Sequence, residues 1–428
     1  MPLFPHQEAA VNWLFGRGNC GLFDEQGLGK TASSILATKN ARRTLVLCPA
    51  VVAYNWAREF KTWSPERRVQ LVLKGRATVS TAAHVVVTTH GLLLKQGVRE
   101  QLLNLGWAHL IVDEAHNFRT PRAQRTRLLY PLSRVGGSLS SSCDRTLLLT
   151  GTPMPNNPSE LWTMLTLDPV RLHNDKGRPM SWQEWRTHFC KLAPSPYGDG
   201  WKVVGSRNVA ELKQRLAGFY LRRLKKDVLD LPPVRFGHVA LLGDKAPTCS
   251  VKGDGERAVE ELMHSEHFST WRRETGLAKV LPAGELLCEE LAAEPMKKMV
   301  VFAHHREVVT SLSAQFAHAQ LPFVTVLGSM TAEAKARAVD SFQNDPTTRV
   351  AICNIVAGGV GITLTAAHDV VFVEQSFIPG ENAQAADRCH RIGQTRPVLV
   401  RFFSLANSID EVVAEVLSRK TAMIREVM

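Results

Sequence analysis

The sequence predicts an α/β fold with two lobes, each built on a parallel β-sheet, and a helical insert between them. Short apolar runs recur along the chain, they are nearly continuous rather than alternating, and helix-like segments such as residues 53–63 separate them. Continuous apolar runs are typical of strands buried on both faces of a parallel sheet. Their alternation with helices is typical of βαβ units, whose ligand groups lie at the carboxyl ends of the strands.

The order of the strand segments predicts where each lobe lies. The first set comprises residues 44–50, 84–90, 109–114 and 146–153. The second set comprises residues 235–242, 298–304, 323–328, 349–355, 369–374 and 398–405. We therefore predict an N-terminal lobe over residues 1–168, a helical insert and lobe-linking brace over 169–231, and a C-terminal lobe over 232–428.

Composition and charge exclude several classes of protein. A hydrophobic content of 44% with 21% charged residues excludes a disordered or coiled-coil chain. Eight scattered cysteines without a C-x-x-C pair argue against a disulfide scaffold or a structural zinc site, and favour a reducing compartment. No secretory signal is visible. The uncharged stretch 350–368 contains glycines and Asn354, so we predict a buried strand followed by a turn and not a membrane span. The formal charge of +12 favours a polyanionic partner.

The stretch DEQGLGKT, which begins at Asp24, resembles a phosphate-binding turn that leads into a helix. Backbone N–H groups and the helix dipole bind phosphate oxygens there, and Gly27 and Gly29 allow a close approach. Lys30 would reach the β and γ phosphates, and Thr31 would offer its hydroxyl to the metal ion. Because the usual pattern has glycine where Asp24 stands, an ordinary glycine turn with a lysine is the alternative.

The stretch DEAH, residues 113–116, follows a fully apolar strand segment. Asp113 can hold the magnesium ion of a bound nucleotide, and the neighbouring Glu114 can orient or deprotonate the attacking water. Two adjacent carboxylates at this position are costly unless they function or face solvent. A chance acidic turn is the alternative for the tetrapeptide taken alone.

A third stretch, QAADRCHRIGQTRP, places Arg388 and Arg391 three residues apart, on one face of a predicted helix. Arginines of this kind neutralise the negative charge that develops during phosphoryl transfer. A solvated helix face is the alternative. Taken together, the three stretches predict a nucleotide in the cleft between the lobes, with hydrolysis coupled to lobe closure.

The order of these and other motifs closely resembles the Swi/Snf family of superfamily-two helicase-like DNA translocases over nearly the whole chain. The motifs are LFPHQ, DEQGLGKT, TLVLCPAVVAYNW, VVVTTHGLL, DEAH, LLLTGTPMPNNPSELW, YLRRLKKDV, VVFAHH, AGGVGITL and QAADRCHRIGQTRP. The resemblance implies two tandem RecA-like lobes, DNA-dependent ATP hydrolysis and a requirement for ATP and Mg²⁺. Family members ordinarily carry an acidic pair where other phosphate loops have the first glycine, so Asp24 is expected.

The resemblance also implies individual site residues. The catalytic group is Lys30, Asp113, Glu114, Arg388 and Arg391, with Thr31 and Asp113 holding Mg²⁺ through the nucleotide. Gln7 would contact the adenine edge, and the other nucleotide contacts would be Asp24, Glu25, Gly27, Leu28, Gly29, Lys30, Thr31, Gly359, Gly361 and Gln384. Residues that couple the nucleotide state to DNA would be Thr150 and Thr152. Contacts to the DNA backbone would be Thr89, His90, Asn156, Gly328 and Ser329.

The segment of residues 211–233 is basic and is predicted to be helical. It carries a cluster of cations, namely Arg222, Arg223, Lys225 and Lys226. Two interpretations are open at this point, one in which the cluster contacts the DNA backbone and one in which the helix braces the two lobes.

The resemblance implies an ATP-driven translocase on double-stranded DNA, which displaces proteins or remodels branched and forked DNA. Within the family, the motifs VVFAHH and QAADRCHRIGQT favour the branch of fork-remodelling, strand-annealing translocases. One alternative is a strand-separating DNA or RNA helicase, and another is a catalytically weak clamp on nucleic acid or platform for a partner. We expect an intracellular monomer that is associated with DNA and has no membrane segment. We also expect that a protein partner directs it to its site of action.

Overall fold

A computed structural model describes residues 2–132, 137–194, 200–242, 267–355 and 362–428. The chain forms two compact units. Unit 1 comprises Met1–Ala193, Val203–Leu229 and Met423–Met428, and unit 2 comprises Pro194–Lys202 and Asp230–Ala422. The division into three parts with boundaries at residues 168 and 231 stays a prediction.

Unit 1 is built on a seven-stranded sheet in the order β3-β4-β2-β5-β6-β1-β9. Its strands are β1 (Cys20–Leu22), β2 (Thr44–Cys48), β3 (Val69–Val72), β4 (Val85–Thr89), β5 (Trp107–Asp113), β6 (Cys143–Leu149) and β9 (Tyr220–Leu221). All the pairings are parallel. Leu149 lies in register with both Leu22 and Asp113, so the residues after β1, β5 and β6 emerge at the same edge of the sheet.

Nine α-helices of unit 1 lie within the described residues. They are α1 (Pro5–Leu14), α2 (Lys30–Ala37), α3 (Ala53–Trp63), α4 (Gln96–Asn104), α5 (Gln124–Leu129), α6 (Trp162–Leu165), α7 (Trp182–Phe189), α8 (Val209–Leu216) and α9 (Lys225–Val228). A two-stranded ribbon of β7 (Cys190–Pro194) and β8 (Trp201–Ser206) follows α7. Helix α3 buries Trp56 and Phe60, one turn apart, so that one face of the helix packs against its neighbours α2, β3 and β4.

Unit 2 is built on a six-stranded parallel sheet in the order β10-β15-β14-β11-β13-β12. Its strands are β10 (Val234–Leu241), β11 (Met299–Ala303), β12 (Phe323–Val326), β13 (Val350–Asn354), β14 (Asp369–Phe372) and β15 (Val398–Leu405). Its described helices are α10 (Phe268–Ala278), α11 (Val280–Ala293), α12 (Arg306–His318), α13 (Ala332–Asn344), α14 (Pro379–Ala386) and α15 (Ile409–Val427), the last of which ends within the residues assigned to unit 1. Alternate residues of β11 belong to two different buried clusters, which shows that both faces of this sheet are covered.

The predicted α/β fold is confirmed, and each of the ten predicted strand segments contains a strand. Five of the described strands were not predicted, namely β1, β3, β7, β8 and β9. The expectation of continuous helix over residues 211–233 is wrong. Helix α8 ends at Leu216, because the next residues turn through Gly218, whose φ is +74°, and the chain then enters β9.

Among the described helices, none combines the length and the apolar character that crossing a membrane requires. The stretch of residues 350–368 begins with strand β13 as predicted, whereas residues 356–361, which include the predicted site glycines Gly359 and Gly361, lie outside the described residues.

Candidate functional site

The glycine-rich turn after β1 leads directly into helix α2, as the sequence predicted. Gly27 and Gly29 have φ values of +83° and +77°, in the left-handed region that favours glycine. The amide of Gln7 lies over Gly29, and a β-carbon added at Gly29 would be 1.9 Å from Gln7 Nε2. Gln7 is itself held in place, because its Oε1 accepts a hydrogen bond from the backbone N–H of Phe4 at 3.0 Å. Position 29 therefore requires glycine for its backbone conformation and for the packing of Gln7.

Lys30 is held by the carbonyl groups of its own turn. Its Nζ donates hydrogen bonds to the carbonyl oxygens of Asp24, at 2.6 Å, and Glu25, at 3.1 Å. Burial lowers the pKa of Lys30, and the negative charges of Glu114, Asp24 and Asp113 oppose this shift. The ammonium group thus lies where the turn and the acidic pair of the DEAH motif meet.

The other residues of the turn occupy different environments. The side chain of Leu28 is buried, and its carbonyl accepts a hydrogen bond from His6 Nε2 at 3.1 Å. Thr31, in the first turn of α2, is half-buried. Leu28 is therefore held through its backbone by His6, whereas Thr31 lies at the N-terminus of α2, the end of a helix that binds phosphate groups.

Asp24, the residue that departs from the usual phosphate-loop pattern, has a partner inside the protein. Its carboxylate is 1% exposed and accepts two hydrogen bonds from the guanidinium group of Arg223, one of them from Nε at 3.0 Å. The neighbouring Glu25 carboxylate accepts a hydrogen bond from the backbone N–H of Lys225 at 2.7 Å. Both acidic side chains are thus held by the segment around β9. Their role as nucleotide contacts stays a prediction.

The segment around β9 runs alongside the turn as an extension of the sheet. The backbone N–H groups of Gly21, Phe23 and Glu25 donate to the carbonyl oxygens of Phe219, Leu221 and Arg223, respectively, at 2.7–2.9 Å. The guanidinium group of Arg222 donates to the carbonyl oxygens of Phe23 and Gly151, both at 3.1 Å. Arg222 and Arg223 of the predicted basic cluster are therefore engaged within unit 1, at the edge that carries the turn.

Asp113 lies at the end of β5, and both of its carboxylate oxygens accept hydrogen bonds. The indole Nε1 of Trp56, on α3, donates to Oδ2 at 2.8 Å, and the backbone N–H of Glu114 donates to Oδ1 at 3.0 Å. Burial raises the pKa of Asp113, the charge of Glu114 raises it further, and Lys30 opposes the shift. A buried carboxylate in this condition is stabilised by a nearby cation.

Glu114 has a φ of +49°, which is uncommon for a residue with a side chain and is found at functional sites. Its Oε2 lies 3.3 Å from His116 Nδ1. The same His116 nitrogen is 3.0 Å from Thr150 Oγ1, which in turn accepts a hydrogen bond from the backbone N–H of Thr152 at 3.0 Å. The structure therefore brings the predicted coupling residues to the DEAH motif through His116, which was not selected from the sequence.

Two predicted DNA contacts, Thr89 and His90, are buried at the end of β4. His90 Nε2 donates a hydrogen bond to the carbonyl oxygen of Asp113 at 2.9 Å, and its ring packs edge-on against Phe118. Burial lowers the pKa of His90 to about 4, so the imidazole is neutral at pH 7. His90 therefore supports the acidic pair through its bond to the backbone of Asp113. Its contact with DNA stays a prediction.

The remaining predicted DNA contacts lie at separate places. The Asn156 side-chain amide donates to Glu160 Oε1 at 2.8 Å, in the loop that follows the LTGTP motif. Gly328 and Ser329 are exposed in the turn after β12 of unit 2. Their contacts with DNA also stay predictions.

The predicted arginine pair of unit 2 meets at one carbonyl group, although not on a helix. Helix α14 ends at Ala386, so the expectation of one helical face for Arg388 and Arg391 is wrong. Both side chains nevertheless reach the carbonyl oxygen of Ile362, Arg388 Nη1 at 3.5 Å and Arg391 Nη1 at 3.1 Å. Arg391 also donates to Thr363 Oγ1 at 3.0 Å, and burial lowers its pKa. Gln384, on α14, is buried nearby in sequence.

Gln394 holds the turn that follows helix α14 in place. Its Nε2 lies within 3.2 Å of three carbonyl oxygens, those of Thr365, Ala367 and Cys389. Its Oε1 accepts hydrogen bonds from the backbone N–H groups of Thr395 and Arg396, both at 3.0 Å. These bonds hold the turn that presents the two arginines. No role was predicted for this glutamine from the sequence, although its place in the HRIGQ motif was a usable signal.

The donor groups of unit 1 fit a nucleotide with its magnesium ion. Over the described residues, no group of three or more His, Cys, Asp or Glu side chains forms a metal site by itself. The Thr31 hydroxyl and the Asp113 carboxylate are the hard oxygen ligands that Mg²⁺ prefers, and Mg²⁺ commonly takes its other ligands from phosphate and water. These residues would hold the ion together with a bound nucleotide.

Two parallel sheets flanked by helices, one with a phosphate-type turn, define the class of tandem RecA-like proteins. The family model described as the SNF2-related domain matches residues 6–241, and the model described as the helicase conserved C-terminal domain matches residues 283–393. The chain therefore belongs to the SNF2-related family, and the resemblance seen in the sequence is confirmed.

Named relatives agree with this assignment. The chain is 29% identical to human DNA annealing helicase and endonuclease ZRANB3, over 98% of this chain and 40% of that protein. It is 30% identical to the Caenorhabditis elegans homolog of SWI/SNF-related matrix-associated actin-dependent regulator of chromatin subfamily A-like protein 1, over 99% of this chain and 62% of that protein. The SWI2/SNF2 ATPase core of Sulfolobus solfataricus, solved in complex with dsDNA, is 21% identical with a TM-score of 0.46, over 100% of this chain and 97% of that one. The chain thus spans 40% to 62% of the length of these two curated relatives.

Proposed function

We propose that the protein is a motor that hydrolyses ATP when it is bound to double-stranded DNA and uses the energy to move along the duplex. The observation that carries the proposal is the meeting of Lys30, Asp113 and Glu114 at the glycine-rich turn of unit 1. Family membership supports it, and a relative named as an annealing helicase favours forked or branched DNA as the structure that is remodelled. We further propose an intracellular, DNA-associated monomer whose targeting depends on a protein partner.

The turn and Lys30 would bind the phosphates. Lys30 would exchange its two carbonyl acceptors in the turn for β- and γ-phosphate oxygens, while the N-terminus of α2 offers backbone N–H groups. Gln7, which already packs over Gly29, would contact the adenine edge. Binding in this way would bring the phosphate groups close to the acidic pair, whose charges act on Lys30.

Asp113 and Glu114 would divide the chemistry between them. Asp113, oriented by Trp56, would hold the magnesium ion together with Thr31. A bound magnesium ion supplies positive charge that neutralises the phosphate oxygens. Glu114 would orient the attacking water or accept its proton, and His116 would keep the carboxylate in position. The bonds from His116 to Thr150 give this carboxylate a connection to the predicted coupling residues.

Positive charge for the transition state would come from Arg388 and Arg391. Arg388 is buried and Arg391 is half-buried, and both donate to the Ile362 carbonyl, so two positive charges lie together at this point of unit 2. The predicted contacts to the DNA backbone, from Thr89, His90, Asn156, Gly328 and Ser329, remain part of the proposal, as do Gly359 and Gly361 for the nucleotide.

Steady-state ATP hydrolysis tests the function directly. We expect little turnover without polymer, strong stimulation by duplex DNA and, in Lys30→Ala, hydrolysis at the level of the enzyme-free blank. Single-stranded DNA and RNA are measured in parallel at equal nucleotide concentration. Stimulation mainly by single strands or RNA would replace the translocase with the strand-separating helicase. DNA binding without hydrolysis under any condition would favour the clamp or platform.

Trp56→Phe tests how Asp113 is oriented. The substitution removes the indole N–H but keeps an aromatic ring in the core, so we expect the Mg²⁺ concentration at half-saturation of fluorescent ATP-analogue binding to rise about 10- to 100-fold. Binding at saturating Mg²⁺ should be unchanged. The matched control is Trp63→Phe on the same helix, whose indole donates to Glu59 instead. Equal responses from the two variants would show that the bond to Asp113 has no such role.

A further inference from the structure

We infer that Arg223, together with Arg222, is a positioning residue of the nucleotide turn, acting on Lys30 through Asp24. The inference rests on the proposed function, because it concerns the same turn. Neither arginine was assigned to this site by sequence motifs, which left the basic cluster as a DNA contact or a brace. Their contacts within unit 1 give them a different task.

The pairing of Arg223 with Asp24 is geometrically demanding. Two nitrogens of the guanidinium group donate to the two oxygens of the Asp24 carboxylate, and Nη1 donates to the carbonyl oxygen of His6. The Asp24 side chain is 1% exposed and that of Arg223 is 15% exposed. A planar guanidinium fork satisfies a carboxylate in this way, whereas the single ammonium group of lysine does not. A carboxylate buried this deeply is costly when its partner is lost.

Arg222 connects the turn to a second loop. Its guanidinium group joins the carbonyl oxygens of Phe23, at the end of β1, and Gly151, in the LTGTP motif. The two loops are also in close contact, since a β-carbon at Gly151 would lie 2.8 Å from Gln26 Cγ. Burial lowers the pKa of Arg222, and this guanidinium stays charged because its normal pKa is so high. Arg222 thus keeps the turn in register with the loop that contains Thr150 and Thr152.

These contacts lead to Lys30 in one further step. Asp24, whose carboxylate is bonded to Arg223, also provides a carbonyl oxygen to Lys30. This oxygen accepts the shorter of the two hydrogen bonds from Lys30 Nζ, at 2.6 Å. The second carbonyl acceptor belongs to Glu25, whose side chain is bound to the backbone of Lys225. The β9 segment therefore holds both residues that set the resting position of the Lys30 ammonium group. Loosening Arg223 displaces the start of the turn and, with it, the phosphate-binding lysine.

Arg223→Lys is the informative variant, because it keeps the charge and removes the fork. We expect the Kd for a fluorescent ATP analogue with Mg²⁺ to rise about tenfold, and the KM for ATP to rise more than kcat falls. Asp24→Asn should produce a similar rise, and the double variant Asp24→Asn with Arg223→Lys should be no worse than the worse single variant. The exposed Arg207, replaced by lysine in the same way, is the matched control and should leave Kd unchanged.

Each outcome separates the inference from the proposed function. Wild-type protein that neither binds nor hydrolyses ATP refutes the function itself. Wild-type protein that binds ATP, with Arg223→Lys unchanged in Kd or with effects of the two substitutions that simply add, overturns the inference. Thermal unfolding of each variant is followed in parallel. Where Arg223→Lys does not fold, the nearly isosteric Asp24→Asn decides, since an unaltered Kd for that variant contradicts the role of the pair.

Discussion

Replacing Glu114 by Gln is expected to lower DNA-stimulated ATP hydrolysis about 10²- to 10⁴-fold, which is the usual contribution of a general base. The amide keeps the shape of the side chain but cannot accept a proton from water. Binding of a fluorescent ATP analogue should stay within about twofold, because Lys30, Thr31 and Asp113 are untouched. Single-turnover measurements with excess enzyme separate the chemical step from product release.

A matched control is available on α4 for this substitution. Glu100 is exposed and interacts with Gln96 one turn earlier, so Glu100→Gln removes an equal charge from the surface of unit 1. It should hydrolyse ATP at the wild-type rate. Retention of wild-type turnover by Glu114→Gln would assign the proton transfer to another group, of which His116 is the nearest by contact.

Replacing Arg391 by Ala is expected to reduce turnover at least ~10³-fold, the lower end of what an arginine finger contributes. Binding of the ATP analogue and of duplex DNA should change little, because the guanidinium group acts on charge that develops in the transition state. The measurement is kcat at saturating ATP and DNA, with both binding constants determined separately.

The control for this prediction lies in the same turn. Arg396 is exposed, and the structure holds it through its backbone N–H, which donates to Gln394. Arg396→Ala should therefore keep most of the turnover. Weak ATP binding with unaltered kcat in Arg391→Ala would mean that this arginine contributes to ground-state binding. In that case Arg388 becomes the remaining source of transition-state charge.

The parts of the site that sequence analysis located share a local signal. Lys30 follows a glycine-rich turn, and Asp113 and Glu114 follow a continuous apolar strand, so the pattern of neighbouring residues determines where each lies. Ten of the thirteen described strands of the two sheets were found for the same reason. Short strands such as β9, with two residues, carry no such pattern, because packing by distant parts of the chain decides their conformation.

Other features depend on contacts that a pattern cannot contain. In the sequence, Arg223 is one of four cations in a cluster, and nothing distinguishes it from the others. In the fold it lies against Asp24, which is 199 residues away in the sequence. His90 was predicted from the sequence as the last residue of a strand segment and a contact to DNA, and the pattern does not show that it is buried, neutral and bonded to the carbonyl oxygen of Asp113. The spacing of Arg388 and Arg391 predicted that the two side chains lie close together, but it predicted the wrong element, because the chain forms a turn after Ala386 that Gln394 stabilises.

The long separation between Asp24 and its partner has a consequence for biosynthesis. Strand β1 and the turn leave the ribosome about 200 residues before β9 and Arg223. At common elongation rates of 5–20 residues per second, this interval is roughly 10–40 s. During it, one edge of β1 lacks its neighbouring strand and the Asp24 carboxylate lacks its guanidinium partner. Contacts of such high sequence separation form late and slowly, so the nucleotide turn is made early but completed among the last parts of unit 1.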